Sequence, residues 1–322
     1  MAILSRKEKL AYGLGDFGAN LVFQSQITFL LFFYTEIFGI SAATAGAILL
    51  SSRIVDAFSD PIIGAISDRT ESRWGKYRPW LLWTAVPLAI AFVLCYTTPE
   101  LSQSGKVVWA AVTCTVLMIV YAANNIPYCA LAGVMTDDSS ERTSLLSWRF
   151  IFVMVAAFGV NTFTIELVKW FGGSDRASGY RSAMVIWAVL AASCFVITFA
   201  FTRERISKKH SNDAAFRQVL SDLLYNGPWV SLFAMAVLIH IQLQLRSGGM
   251  LYYFKHFLNR EDLFAWFNGV GFAAVIIGVS LSNPLAARIG KRTAFQMCLL
   301  VSAALLALFA VLPRDWVRGL FV

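Results

Sequence analysis

At 322 residues, 58% hydrophobic and only 14% charged, with a mean hydropathy of +0.64, the chain is too apolar for a soluble domain, whose charged share is about 25%. The net charge of +8 does not argue for a nucleic-acid partner, because the Lys and Arg residues gather in short loops between apolar stretches, as membrane topology requires. Cys95, Cys114, Cys129, Cys194 and Cys298 all lie in apolar segments with no CxxC pair, so neither a disulfide frame nor a metal site is expected, and the class is an all-α polytopic membrane protein.

The chain opens on a short basic stretch with Arg6, Lys7 and Lys9. The apolar run behind it is too long for a signal peptide's core, so an uncleaved first helix is expected over 12–38. Further spans are predicted at 42–67, 80–98, 107–135, 144–171, 182–202, 228–257, 263–287 and 293–312, each long enough to cross about 30 Å of hydrocarbon. Pro313 to Val322 looks like a turn entering a tenth. Between the sixth and seventh spans lies the longest hydrophilic stretch, 203–227, with Arg203, Arg205, Lys208, Lys209 and Arg217. The N-terminus and the loops at 68–79, 135–143, 203–227 and 288–292 hold most of the positive charge, which places that side, and the N-terminus, in the cytoplasm.

Within the second span, Arg53, Asp56 and Asp60 fall on one helix face in an otherwise apolar helix. An acid inside a span costs about 2.5–3.5 kcal/mol on insertion scales, so it faces a water-filled path or a partner. Two close carboxylates in low dielectric cannot both ionise cheaply, so the pair is expected to hold a proton or a monovalent cation; the plainer alternative is an ion pair between Asp56 and Arg53. Arg149, one turn inside the fifth span, either binds hydroxyls, pairs with an acid or snorkels to the interface. Asn20 and Asn125 suit sugar hydroxyls or interhelical hydrogen bonds. Asp16 lies one turn before Asn20 as a polar partner, and His240 and Arg246 are ionisable groups within the seventh span.

A repeat is visible. Asp60-Pro61, an apolar stretch and the basic loop with Gly75-Lys76 recur as Asn283-Pro284 and LAARIGKR with Gly290-Lys291. Two parallel six-helix halves would give this spacing. The expected domains are therefore 1–202, a six-helix bundle; 203–227, a cytoplasmic central loop; and 228–322, about three helices of a second bundle.

The segments KLAYGLGDFG (9–18), FFYTEIFGI (32–40), RIVDAFSDPIIGAISDRTESRWGKYRPW (53–80), NNIPYCAL (124–131), SWRF (147–150) and RSGGMLYY (246–253) together resemble the glycoside–pentoside–hexuronide:cation symporters of the major facilitator superfamily. The joint occurrence of D-x-x-x-D-P and R-W-G-K-[YF]-[RK]-P-W is what makes the likeness specific. The resemblance implies a major facilitator fold with about nine of twelve helices present, in a bacterial inner membrane. It implies a sugar:cation symporter working by alternating access, with Asp56 and Asp60 at the cation site and Tyr121 and Arg149 near the sugar path. No cofactor is implied beyond a coupling ion, H⁺ or Na⁺. Asn20, Asn125 and Cys129 depart from the sugar-gripping residues of the family's best studied member, and Ala122 replaces a sodium-site threonine; these departures count against galactoside recognition and sodium use and leave proton coupling as the expectation. Arg73, Gly75 and Lys76 sit in a loop that in the wider superfamily locks the cytoplasmic side; plain positive-inside charge is the alternative.

Competing readings keep the fold but carry a lipid or drug, or make the chain an inactive piece of a carrier, or use the Asp pair as an intramembrane acid and base. The last has no supporting motif. Gly13, Gly15 and Gly18 fit GxGxxG, but no strand precedes them, so a dinucleotide site is not expected. GLGD lacks the accompanying motifs of intramembrane aspartyl proteases.

Overall fold

The computed structural model describes residues 4–206, 222–252 and 262–311. Among them every regular element is helical. The helices are α1 (Arg6–Ser25), α2 (Ala42–Arg69), α3 (Arg78–Cys95), α4 (Gln103–Met135), α5 (Ser139–Gly172), α6 (Arg176–Phe201), α7 (Gly227–Tyr252), α8 (Asp262–Ile289) and α9 (Lys291–Val311). Two π-helical segments, Gln26–Leu30 and Phe33–Ile37, prolong α1 across the rest of the first predicted span. Where α1 turns into the first of them, the Ser25 carbonyl accepts from the Tyr96 hydroxyl at 2.8 Å.

Most helices start earlier than the apolar runs do, because their caps lie in the polar flanks. Ser5 and Glu8 form a reciprocal capping box on α1. The Asp138 carboxylate accepts from Ser140 and Glu141 N–H at the start of α5, and Asp175 does the same for Ala177 and Ser178 at α6. Each cap is worth about 1 kcal/mol. Among the described residues, α3 to α6 are long and apolar enough to cross a membrane. α1 and α2 fall short of that measure because α1 opens on Arg6, Lys7, Glu8 and Lys9 and carries Asp16, while α2 carries Arg53, Asp56 and Asp60.

The chain divides into two compact units, 1–207 and 208–322. In the first, α1 packs on α5 and α6, α4 packs on α2 and α3, and α3 packs on α6. Exchanging α1–α3 for α4–α6 maps these pairs onto one another, although α5 also packs on α6 and α2 does not pack comparably on α3. α1 and α4 run in opposite directions, so the relation has the form of an inverted three-helix repeat.

Close approach of α1 explains its glycines. A Cβ on Gly13 would strike the Phe152 ring of α5, one on Gly15 the Tyr128 ring of α4, and one on Gly18 would come within 3.0–3.3 Å of Ala191, Cys194 and Phe195 of α6. Small residues let helix backbones meet in a membrane, where packing drives association. GxGxxG is here a three-sided packing seam.

In the second unit, Pro284 lies inside α8 and Gly290 alone separates α8 from α9. Gly290 has φ +84° and Gly75, in the loop between α2 and α3, has φ +108°, so both corresponding turns use the left-handed backbone that glycine tolerates. Pro61 inside α2 matches Pro284. The side chains of Asn283 and Arg246, residues 207–221 of the central segment and the 312–322 stretch lie outside the described residues.

Candidate cation and cargo site

On α2 the buried positions Ala45, Ile48, Ser52, Ile63 and Ser67 form the stripe that packs inward. Leu50, Ile54, Phe58, Ile62 and Ile66, spaced by four, stay exposed on the other side. Arg53, Asp56 and Asp60 lie on the flank between these stripes. Arg53 Nη1 is 3.7 Å from Asp56 Oδ2, so Asp56 has the ion pair that the sequence left as an alternative. Asp60 is exposed and makes no hydrogen bond or ion pair among the described residues.

Facing stripes of α1 and α4 carry a second group. Asp16, Asn20 and Phe23 are spaced i, i+4, i+7 on α1, and Tyr121, Asn125 and Tyr128 have the same spacing on α4. Asp16 is buried, at 3% exposure. It accepts from Arg149 Nε of α5 at 2.5 Å. Asn20 Nδ2 donates to the Asp16 carbonyl at 2.9 Å and to Asp16 Oδ1 at 3.2 Å. The Arg149 guanidinium lies 5.4 Å over the Tyr128 ring. Tyr128 in turn stacks on Tyr12 at 4.6 Å, and each hydroxyl donates to the other residue's carbonyl. Cys129 Sγ donates a weak hydrogen bond to Asn125 Oδ1 at 3.8 Å. Thus Arg149 pairs with an acid instead of snorkelling, and Asp16 is its partner.

Phe23 joins the two groups. Its ring is stacked on Tyr121 at 6.0 Å, and the Arg53 guanidinium lies 5.9 Å above it. Depth along the helices agrees. At 1.5 Å per residue, Asp16 lies about 15 Å along α1 from Arg6, Arg149 about 15 Å along α5 from Ser139, and Asp60 about 14 Å along α2 from Arg69. Those three helix ends share one side of the unit, because Lys9 is 3.0 Å from Glu141 and Arg205, which follows Glu204, is 2.6 Å from Glu8. All three groups therefore sit at a similar depth from that side.

At that end, the loop holding Arg73, Gly75 and Lys76 is tied to the residues after α6. The Glu204 carboxylate accepts from the backbone N–H groups of Lys76, Tyr77 and Arg78 at 2.8, 2.8 and 2.9 Å. An anion at a helix N-terminus meets unpaired N–H groups and the positive end of the helix dipole. Arg78 Nη2 donates to the Phe199 carbonyl at 2.7 Å, and Trp74 meets the Phe199 ring edge-on at 5.6 Å. Burial and the bond that Tyr77 donates to Asp68 at 2.6 Å push its phenol above the ordinary tyrosine range. Arg73 lies over the Trp74 ring at 4.4 Å. Arg205 and Ile206 N–H both donate to the Val134 carbonyl at the end of α4.

Phe23, Tyr12, Tyr128 and Glu204 are the parts that the sequence did not single out. Spacing from Asp16 marks Phe23, and spacing from Tyr121 marks Tyr128; nothing local marks Glu204. His240 in α7 is exposed, its Nδ1 3.2 Å from the Ala236 carbonyl. An open apolar groove of about 740 Å³ between α3 and α6, lined by Val86, Ile90, Val93, Val189 and Val196 among others, holds none of these polar groups.

A family model described as MFS/sugar transport protein matches residues 11–322. The inner membrane symporter YicJ of Escherichia coli is 37% identical over 88% of this chain and 61% of its own length. The isoprimeverose transporter of Lactiplantibacillus pentosus is 38% identical over 92% of this chain and 62% of its own. A glucuronide carrier protein homolog of Escherichia coli is 31% identical over 91% and 64%. The chain thus spans a little over three fifths of the length of these relatives.

Proposed function

Because the chain belongs to the MFS/sugar transport protein family, and within it to the glycoside–pentoside–hexuronide:cation symporters of the major facilitator superfamily, we propose that it carries a small glycoside, pentoside or hexuronide together with a monovalent cation. The membrane is a bacterial plasma membrane and the 68–79 loop side, with the N-terminus, is cytoplasmic. Transport, not catalysis, is what the relatives' names describe.

The observation that carries this reading is the pairing of two unlike groups at one depth. One is charged and incomplete. Asp56 has Arg53, but Asp60 has no partner among the described residues, and a lone carboxylate within a membrane span needs a cation or proton to offset a cost of about 2.5–3.5 kcal/mol. The other is neutral in sum and rich in hydrogen-bonding groups: Asp16 balances Arg149, while Asn20, Asn125 and the Tyr121 hydroxyl remain to meet hydroxyls.

A proton is the favoured ion. A single carboxylate binds a proton without further ligands, and Ala122 supplies no hydroxyl where the family's best studied member carries a sodium-site threonine. Cation binding at Asp60 acts on the cargo group through Phe23, and by linkage the cargo strengthens cation binding by the same factor. Alternating access then moves both together.

The test is uptake of radiolabelled glycosides, pentosides and hexuronides into proteoliposomes under an imposed proton or sodium gradient. One sugar should accumulate several-fold above equilibrium in a gradient-dependent way. Accumulation independent of any ion gradient would remove the symport reading, and accumulation of none of them would remove the sugar.

A further inference from the structure

We infer that Asp16 is the positioning residue of the cargo group, holding Arg149 and Asn20 so that they present one donor pair and one acceptor to adjacent sugar hydroxyls. The inference rests on the sugar-carrier reading above. Its own basis is the bond inventory around a single carboxylate.

Arginine has five N–H donors in a fixed planar fork. Arg149 spends Nε on Asp16, so the fork is anchored at its base while the Nη1 and Nη2 donors are left at its far end. The face of that fork is held by the Tyr128 ring at 5.4 Å, and Tyr128 is locked by its stack and two hydrogen bonds with Tyr12. Anchoring at the base and support on one face restrict the directions in which the guanidinium can donate.

Asn20 is held by the same residue, through its main-chain carbonyl at 2.9 Å and its carboxylate at 3.2 Å. Both of its bonds run from Nδ2 to Asp16, which uses the amide as a donor toward the protein and leaves Oδ1 as an acceptor. The carboxylate bond thus reinforces an amide orientation that the main-chain carbonyl also favours. A sugar hydroxyl both donates and accepts, so donors from Arg149 beside an acceptor from Asn20 complement two neighbouring hydroxyls. A carboxylate also balances the guanidinium charge, so Arg149 binds as a hydrogen-bond donor more than as a free cation. Asp16 is 3% exposed and its oxygens are taken up by Arg149 and Asn20, so it acts through the two residues it holds.

Asn at position 16 keeps the size but reverses this logic. Its amide can present an N–H to Asn20 in place of an acceptor, leaving Asn20 with the main-chain bond alone, and it offers Arg149 a neutral acceptor only. The test is binding of nitrophenyl β-D-glucoside, β-D-xyloside and β-D-glucuronide to the purified full chain in detergent, with the wild type, Asp16→Asn, Asn20→Ala and the double variant. Asp16→Asn should weaken the best-bound sugar tenfold or more and change the ratio of affinities between the three sugars. Asn20→Ala should then add less in the Asp16→Asn background than it costs alone, since the two side chains share a hydrogen bond. A melting scan without sugar shows whether each variant is folded, and Asp16→Glu serves where Asp16→Asn is not, with the same expected change in ratios. A folded variant with wild-type affinities and ratios, or fully additive losses, would overturn the inference. Failure of the wild type to bind any of the three would overturn the sugar reading on which it stands.

Discussion

The carboxylate of Glu204 occupies the space that a side chain at position 75 would need. A Cβ on Gly75 would come 2.6 Å from Glu204 Cδ and Oε1. Glycine is thus required there twice, once for its φ of +108° and once to admit the anion that caps α3.

Gly75→Ala should therefore destabilise the first unit by about 2 kcal/mol or more, from backbone strain of about 1–2 kcal/mol together with loosened charge-assisted bonds. In a melting scan of the purified protein this reads as a fall of about 4–8 °C. Glu204→Gln should cost less. The two together should cost less than the sum, because both changes act on one contact.

The neighbouring Arg205–Glu8 pair gives a pH dependence. Partial burial pushes Glu8 upward, but bonds from Ser5 and the Arg205 guanidinium outweigh it and hold its carboxyl below the ordinary range. A folded-state value lower than the unfolded one stabilises above the unfolded value and is lost as pH falls through the folded one. The wild type should lose stability on acidification below about pH 4.3, and Glu8→Gln should flatten that part of the profile. Melting temperature against pH from 3 to 7 measures it.

Phe23 should matter to coupling more than to cargo binding alone. It touches both Arg53 and Tyr121, whereas no hydrogen bond or ion pair among the described residues joins Asp56 or Asp60 to Asn20, Asn125 or Arg149. Phe23→Leu keeps the bulk and loses the ring. The gain in sugar affinity caused by the coupling ion should shrink several-fold, while affinity without the ion changes less; binding titrations at two ion concentrations give both.

Cysteine accessibility offers a direct map of the cargo face. Cys95, Cys114 and Cys194 are buried, while Cys129 and Cys298 are exposed. A small charged thiol reagent should modify Cys129, and bound sugar should slow that reaction several-fold without changing Cys298. Mass spectrometry of the labelled peptides resolves the two.

Most helix positions could be read from apolar runs about 20 residues long, and the α2 carboxylates from their cost in such a run. The starts of α5 and α6 were placed several residues late, because Asp138 and Asp175 cap helices that begin outside the hydrocarbon. Asp16 was legible only as a neighbour of Asn20. Its partner Arg149 is 133 residues away, and no local spacing reveals a contact across that distance. The same holds for Glu204, an acid in a basic stretch whose three bonds go to backbone N–H groups, which leave no mark in sequence. The use of the GxGxxG pattern in helix packing shows only once Phe152, Tyr128 and Cys194 are brought alongside.

The central claim is that the coupling ion binds at Asp60 beside Asp56, apart from the cargo group. The most direct measurement compares gradient-driven uptake with exchange of labelled for unlabelled sugar at zero gradient, in proteoliposomes carrying the wild type, Asp60→Asn or Asp56→Asn. The account predicts that Asp60→Asn abolishes accumulation against a gradient, by tenfold or more, while exchange persists because Asn20, Tyr121, Asn125 and Arg149 are untouched. Asp56→Asn should weaken ion dependence and leave exchange as well. Ion-driven accumulation surviving unchanged in Asp60→Asn would contradict it.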